Sequence, residues 1–371
     1  MNRLISSLAS LMLVSACVTP QPPVDVSAGG TQTKRADGDA LVDVSDIADH
    51  HGDQKPWTSL DVLDGPEKFA FAVITDRTGG ERKGVFGPLM NKVDLMQPAF
   101  VMSVGDLIEG YTENEAQIEA EWDEFDGFIE TLDAPFFYVA GNHDYMNKQM
   151  EDAWRTRFGA SYYHFVYKDV LFLVLNSELL DINPEGPDKT GGPGHDHWHA
   201  DDARRAARDA QYAYAQRVLG QNTDVRWTFV FVHKPFWRTG WEHPPRVPGG
   251  DWSDFDLSNY PVEGPWPTLD AETTDWTALE ALLADRNYTA FAGHRHTYDY
   301  AGGTEGAHTH DKITLATTGG VSNLRGTSYG EFDQIAWVTM TKDGPVIANV
   351  GLKDVLPKDH QTPDARPWWV D

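Results

Sequence analysis

The chain has 371 residues, room for two average domains or one large α/β domain with a sizeable core. Thirty Lys and Arg stand against 57 Asp and Glu, a formal net charge of -27, which disfavours nucleic acid as a partner because tracking a phosphate backbone rests on basic side chains replacing counterions. A small phosphate-bearing molecule is not excluded, since a bound dication supplies a local positive centre.

Residues 1–16 have the pattern of an export signal: Arg3 near the start, an apolar stretch too short to span a membrane comfortably, and the small residues Ser15 and Ala16 before Cys17. Val14-Ser15-Ala16-Cys17 resembles the lipobox of bacterial lipoproteins, in which cleavage leaves the cysteine as the lipid-bearing first residue. Cys17 is the one cysteine of the sequence, so a disulfide within one chain is impossible. The resemblance implies a membrane partner reached through lipidated Cys17, in the bacterial cell envelope. Val18, where an Asp would retain a lipoprotein at the inner membrane, points to the outer membrane, facing periplasm or exterior. Residues 17–65 carry Pro, Gly, Asp and Thr without sustained apolar periodicity and read as a flexible tether.

A catalytic domain is expected over residues 66–356, with 357–371 as a tail. Apolar runs of strand length alternate there with helical patterns: FAFAVIT, then 84–97; AFVMSV, then 113–132; FFYVA, then 147–158. VLFLVLN, a helix near 203–219, WTFVFV, a helix near 270–285, and TAFAG follow. Such alternation predicts α/β layers with strands buried on both faces. The final runs KITLATT, IAWVTMT and VIANVGL are joined by short turns, as in an antiparallel portion. Together they predict mixed sheet within one domain.

The informative feature is what each run delivers at its carboxyl end, the edge where open α/β sheets place their sites. FAVIT ends in Asp76, FVMSVG in Asp106, FFYVAG in Asn142-His143-Asp144, WTFVFV in His233, and TAFAG in His294-Arg295-His296. Each alone is explicable as a cap, a turn or a polar strand end. Five together would bring carboxylates and imidazoles into one crevice, where like charges need a cation between them. The other H-x-H stretches, His195-Asp196-His197-Trp198-His199 in a Gly/Pro/Asp-rich loop and His308-Thr309-His310 in an expected hairpin, follow no buried strand and read as loop or surface histidines.

Read in order, Asp76, GDLIEG (105–110), GNHD (141–144), His233 and GHRH (293–296) resemble the calcineurin-like metallophosphoesterase family, and the later strands and TTGG (317–320) fit the same fold. The resemblance implies a four-layer αββα sandwich with mixed sheets. It also implies two transition-metal ions (Mn, Fe or Zn) about 3.5–4 Å apart, bridged by one carboxylate and a hydroxide. Carried onto this chain, Asp106 is the bridge, Asn142, His233 and His294 complete the second metal's shell, and Asp76 and His296 hold the first. The implied activity is hydrolysis of a small phosphate ester, monoester or diester, by a metal-activated hydroxide. His143 matches the family's catalytic histidine and Glu109 stands where an acid paired with it is often found. Asp144 reads as a structural cap.

Two departures matter. The family's first motif usually supplies a histidine where Thr78 stands, leaving water, Thr78 or substrate to fill the gap. Three outcomes follow: two metals with a weaker first site, a one-metal enzyme, or a noncatalytic binding lipoprotein on the same fold. Many members also carry an arginine where Gly110 stands; Arg77 is the candidate to reach the phosphate instead, or else forms a salt bridge to a carboxylate. The stretch after His233 holds Trp237, Trp241, Trp252 and Trp266, which either stack on a substrate or pack the loop onto the domain.

Overall fold

The computed structural model describes residues 65–180, 202–235, 237 and 275–363. Residues 1–64, His195 to His199, and Trp241, Trp252 and Trp266 lie outside the described residues, as does most of the tail.

Two six-stranded sheets are built from β1 (Phe69–Ile74), β2 (Val101–Ser103), β3 (Phe136–Phe137), β4 (Tyr163–Tyr167), β5 (Val170–Val174), β6 (Trp227–Phe231), β7 (Tyr288–Ala292), β8 (Asp299–Glu305), β9 (His308–Thr314), β10 (Gln334–Thr341), β11 (Gly344–Gly351) and β12 (Val355–Pro357). One has the order β12-β11-β10-β1-β2-β3, the other β4-β5-β6-β7-β9-β8. β1, β2 and β3 run parallel, and so do β5, β6, β7 and β9; the remaining pairings are antiparallel. Both sheets are therefore mixed, and the expected antiparallel end portion is divided between them.

Alternation within the apolar runs explains why the sheets stack. Phe69, Phe71 and Val73 of β1 share one buried cluster with Phe172 and Val174 of β5, Phe229 and Phe231 of β6, and Phe291 of β7. Phe71 meets Phe172 and Phe229 edge-on, with ring centroids 5.3 and 5.1 Å apart. Ala72 and Ile74 point the other way, toward α1 (Phe86–Met96), α2 (Glu115–Ile129) and, beyond α3 (Asn142–Tyr145), α4 (Lys148–Phe158), through Leu89, Trp122 and Trp154. On the second sheet Leu171, Leu173, Val230 and Ala290 pack against α6 (Asp202–Gln221) and α7 (Asp275–Leu283), α5 (Ser177–Leu180) lying before them. A strand covered on both faces has no polar side to show, which is why these runs read as continuously apolar. Helix, sheet, sheet, helix is the four-layer αββα sandwich with mixed sheets.

Helix starts follow their caps. Asn114 Oδ1 accepts from the Gln117 amide at 3.2 Å, and Asn147 Oδ1 from the Met150 amide at 2.9 Å, which sets α2 and α4. The sequence reading passed over β4, whose half-exposed YHFVY lacks the apolar continuity of its neighbours. It joins β5 through Lys168 and Asp169, both left-handed at φ 47° and 58°. His308 and His310 do lie in the β8–β9 hairpin, but on strand β9 rather than in a surface loop: His310 is buried, its ring stacked on Tyr288 at 4.6 Å.

Candidate metal centre

β1, β2 and β3 in one sheet and β6 and β7 in the other end at a common edge. There the Asp76 amide donates to Gly105 O at 3.1 Å, and the His294 amide crosses between the sheets to Asp76 Oδ1 at 2.9 Å. Asp76, Asp106, His294 and His296 all adopt left-handed backbone, at φ 35°, 57°, 69° and 49°. Such conformations cost on the order of 1–3 kcal/mol each and persist where surrounding structure enforces them. Gly105, at φ 99°, lets this turning chain pass against its neighbours: a Cβ there would lie 2.8 Å from His233 Nδ1 and 2.8 Å from the Gly141 backbone.

The side chains so delivered converge. Ligand atoms of Asp106, His233 and His294 lie within 4.8 Å of one another, and so do those of Asp76, Asp106 and His296. Asp106 belongs to both groups. Asn142 Oδ1 stands 2.9 Å from His233 Nε2 and joins the first. Asp76, Asp106, Asn142, His233 and His296 are buried, while His294 and His143 are partly open.

The chemistry of these donors fits metal ions. His233 Nδ1 lies 2.8 Å from Val104 O, and His296 Nδ1 against Val321 O. Each contact places the ring proton on Nδ1 and turns the Nε2 lone pair inward, the usual way a protein prepares an imidazole ligand. His233 Nε2 then faces Asn142 Oδ1, Asp106 Oδ2 at 3.1 Å and His294 Nδ1 at 3.2 Å, while His296 Nε2 faces Asp76 Oδ1 at 3.1 Å. Lone pairs at such distances repel unless a proton or a metal cation lies among them. The titration behaviour has the same sense. Burial alone would raise the Asp106 carboxyl, yet His233, His143 and His294 hold it far below the ordinary carboxylate range. Burial pulls His233 down, but the Asp106 charge outweighs it and pushes this imidazole up to about 9. His296 is raised against burial by Asp76. Carboxylate, amide oxygen and imidazole are donors suited to Mn, Fe or Zn.

His143 sits at the rim. Its backbone amide donates to Asp106 Oδ1 at 2.9 Å, and its Nδ1 lies 2.6 Å from Glu109 O. Here the expectation for Glu109 needs correcting. The backbone carbonyl of Glu109 holds the ring, while its carboxylate accepts from the Gly80 and Glu81 amides at 3.1 and 2.6 Å, because that turn leaves two N–H groups to be satisfied. Arg77 is corrected too. Its guanidinium is buried 3.1 Å from Glu124 and 3.3 Å from Glu81, donates to Leu107 O at 3.0 Å and lies over the rings of Phe86 and Phe128, so the salt-bridge alternative describes it. Asp144 accepts from the amides of Asp106, Leu107, Ile108 and Gly141 at 2.8 to 3.1 Å, which makes it the anchor of the Asp106 loop. Burial and the Asp106 charge push its carboxyl up to about 7, against the pull of these amides. Thr78 is buried, with its hydroxyl 2.6 Å from Ile108 O and 3.0 Å from Asp106 O.

Sequence reasoning missed Tyr111. Its hydroxyl accepts from Asn142 Nδ2 at 2.7 Å and its ring meets His143 edge-on at 4.4 Å. The available signal was its place five residues after Asp106 in the same Gly-containing loop.

The sequence model of the family described as calcineurin-like phosphoesterase matches residues 47–298. No curated protein matches the chain. Among solved structures, a dimetal phosphatase from Danio rerio is 14% identical with a TM-score of 0.50, the match covering 79% of this chain and 99% of that one. GAP50, the anchor in the inner membrane complex of Plasmodium, is 12% identical (TM-score 0.47; 81% and 91% covered). A purple acid phosphatase from Lupinus luteus is 13% identical (TM-score 0.49; 81% and 56% covered). At 14% identity the first of these is a likeness of fold. The family match spans the series from Asp76 to His296, and the chain belongs to the calcineurin-like phosphoesterase family.

Proposed function

We propose that the chain hydrolyses a small phosphate ester, monoester or diester, with two transition-metal ions held by groups that share Asp106. The observation that carries this reading is that sharing: one buried carboxylate lies within ligand reach of both donor groups. Asp106, Asn142, His233 and His294 would hold one ion, and Asp76, Asp106 and His296 the other. Bound there, such ions neutralise charge on the transferring phosphoryl group and lower the pKa of water so that hydroxide is available at neutral pH.

The chain's own groups supply the rest. Asp144 holds the Asp106 loop by four backbone amides, which keeps the shared carboxylate in register with both sheets. Val104 O and Val321 O fix the tautomers of His233 and His296. Because Glu109 O takes the Nδ1 side of His143, exchange of a proton with a leaving-group oxygen falls to Nε2, which makes His143 the general acid.

One observation favours a weaker first site. The Thr78 hydroxyl is tied into the 106–108 loop, so the position a histidine would fill falls to water or substrate. The test is to titrate Mn²⁺, Fe²⁺ and Zn²⁺ into metal-free protein while recording stoichiometry and turnover of aryl phosphate mono- and diesters. Two ions with turnover support the reading; one ion with turnover reduces it to a one-metal enzyme; binding without turnover leaves the noncatalytic alternative. Attachment to the envelope rests on Cys17 and its preceding residues. Cys17→Ser should release the chain from the membrane fraction, and retention there would overturn the anchor.

A further inference from the structure

We propose that Tyr111 is a positioning residue that fixes which end of the Asn142 amide faces the metal site. This rests on the two-metal reading above. An asparagine side chain has an oxygen end and a nitrogen end of nearly the same shape, and only the oxygen can serve as a ligand. In this site something must choose between them. An amide N–H₂ turned toward the ligand position would offer a metal no lone pair and would exclude it.

Tyr111 makes that choice by holding the nitrogen end. Its hydroxyl oxygen accepts from Asn142 Nδ2 at 2.7 Å, which leaves Oδ1 at 2.9 Å from His233 Nε2. The amide is buried, so solvent does not compete for either end. Tyr111 itself sits at φ 51°, a conformation a bulky residue rarely adopts, and the ring is wedged edge-on against His143 at 4.4 Å. The loop thus accepts backbone strain at the residue whose hydroxyl reaches the ligand. Glycine at 110, with φ 58°, permits the approach, since a Cβ there would clash with the His143 backbone.

Tyr111→Phe keeps the ring against His143 and removes only the hydroxyl. Metal binding to the full chain, followed by calorimetric titration with Mn²⁺, should show affinity at one of two sites reduced about 10- to 100-fold, the range typical for a group that orients a ligand. The same substitution made in an Asn142→Asp chain should cost less than about threefold, because a carboxylate has no wrong end to present. In an Asn142→Ala chain it should cost nothing further, which a merely structural tyrosine would not produce. Unchanged affinity in Tyr111→Phe overturns the proposal, as does an equal loss in all three backgrounds. If Tyr111→Phe alone fails to fold, the comparison of the Asn142→Asp and Asn142→Ala pairs carries the test on the same terms. A wild-type chain that takes up no Mn²⁺, Fe²⁺ or Zn²⁺ overturns the two-metal reading itself, an outcome visible before any variant is made.

Discussion

Asp106 Oδ2 lies 3.1 Å from His233 Nε2, although these residues are 127 positions apart and follow strands of different sheets. The contact joins the carboxyl ends of β2 and β6, and it makes Asp106 the one carboxylate common to both donor groups.

Asp106→Asn should therefore empty both sites rather than one. A neutral amide removes the charge that each group relies on, while Asp144 still holds the loop. We expect metal content to fall below one ion per chain and turnover to be lost. A variant that keeps two ions would remove Asp106 from the bridge position.

His143→Gln separates chemistry from binding. Neither of the two donor groups includes this residue, so elemental analysis should find wild-type metal content, while turnover falls by about 10²- to 10⁴-fold, the usual contribution of a general acid. Esters with a leaving group that needs no proton should lose least. Equal loss for aryl and alkyl esters would assign His143 a role other than proton donation.

The pH dependence has a defined sign. In the metal-free chain, burial pulls the His233 imidazole down from 6.5, but the Asp106 charge pushes it up to about 9. A folded-state value above the unfolded one contributes stability that is present in full below pH 6.5 and is lost as pH climbs through about 9. Metal competes with that proton for the same nitrogen, so metal affinity should rise over the same window. Thermal unfolding should show the metal-free chain losing stability from pH 6.5 to 9 while the loaded chain stays level. Parallel decline of both forms would mean that His233 is no ligand.

Thr78→Val asks whether the threonine hydroxyl is structural. The isosteric change leaves Ile108 O and Asp106 O without this donor and should cost about 1–3 kcal/mol of stability. Metal stoichiometry should not change. Loss of one ion from an otherwise folded variant would make Thr78 a ligand after all.

The sequence by itself determined the layer architecture and which polar residues the strand ends deliver to one edge. Continuous apolar runs such as VLFLVLN admit one environment, covered on both faces, and a parallel sheet edge collects whatever follows each run. Asp76, Asp106, Asn142, His233 and the histidines at 294 and 296 were legible because they occupy strand ends. Only the tertiary structure decided where the side chains of Glu109, Arg77 and Tyr111 turn. All three lie in loops, where spacing does not dictate which way a side chain turns. Unsatisfied backbone amides drew the Glu109 carboxylate to Gly80 and Glu81, Glu124 and aromatic faces drew Arg77 inward, and a left-handed turn carried Tyr111 to Asn142. Direction in a loop is set by partners distant in sequence, and those partners meet only when both sheets have closed on each other.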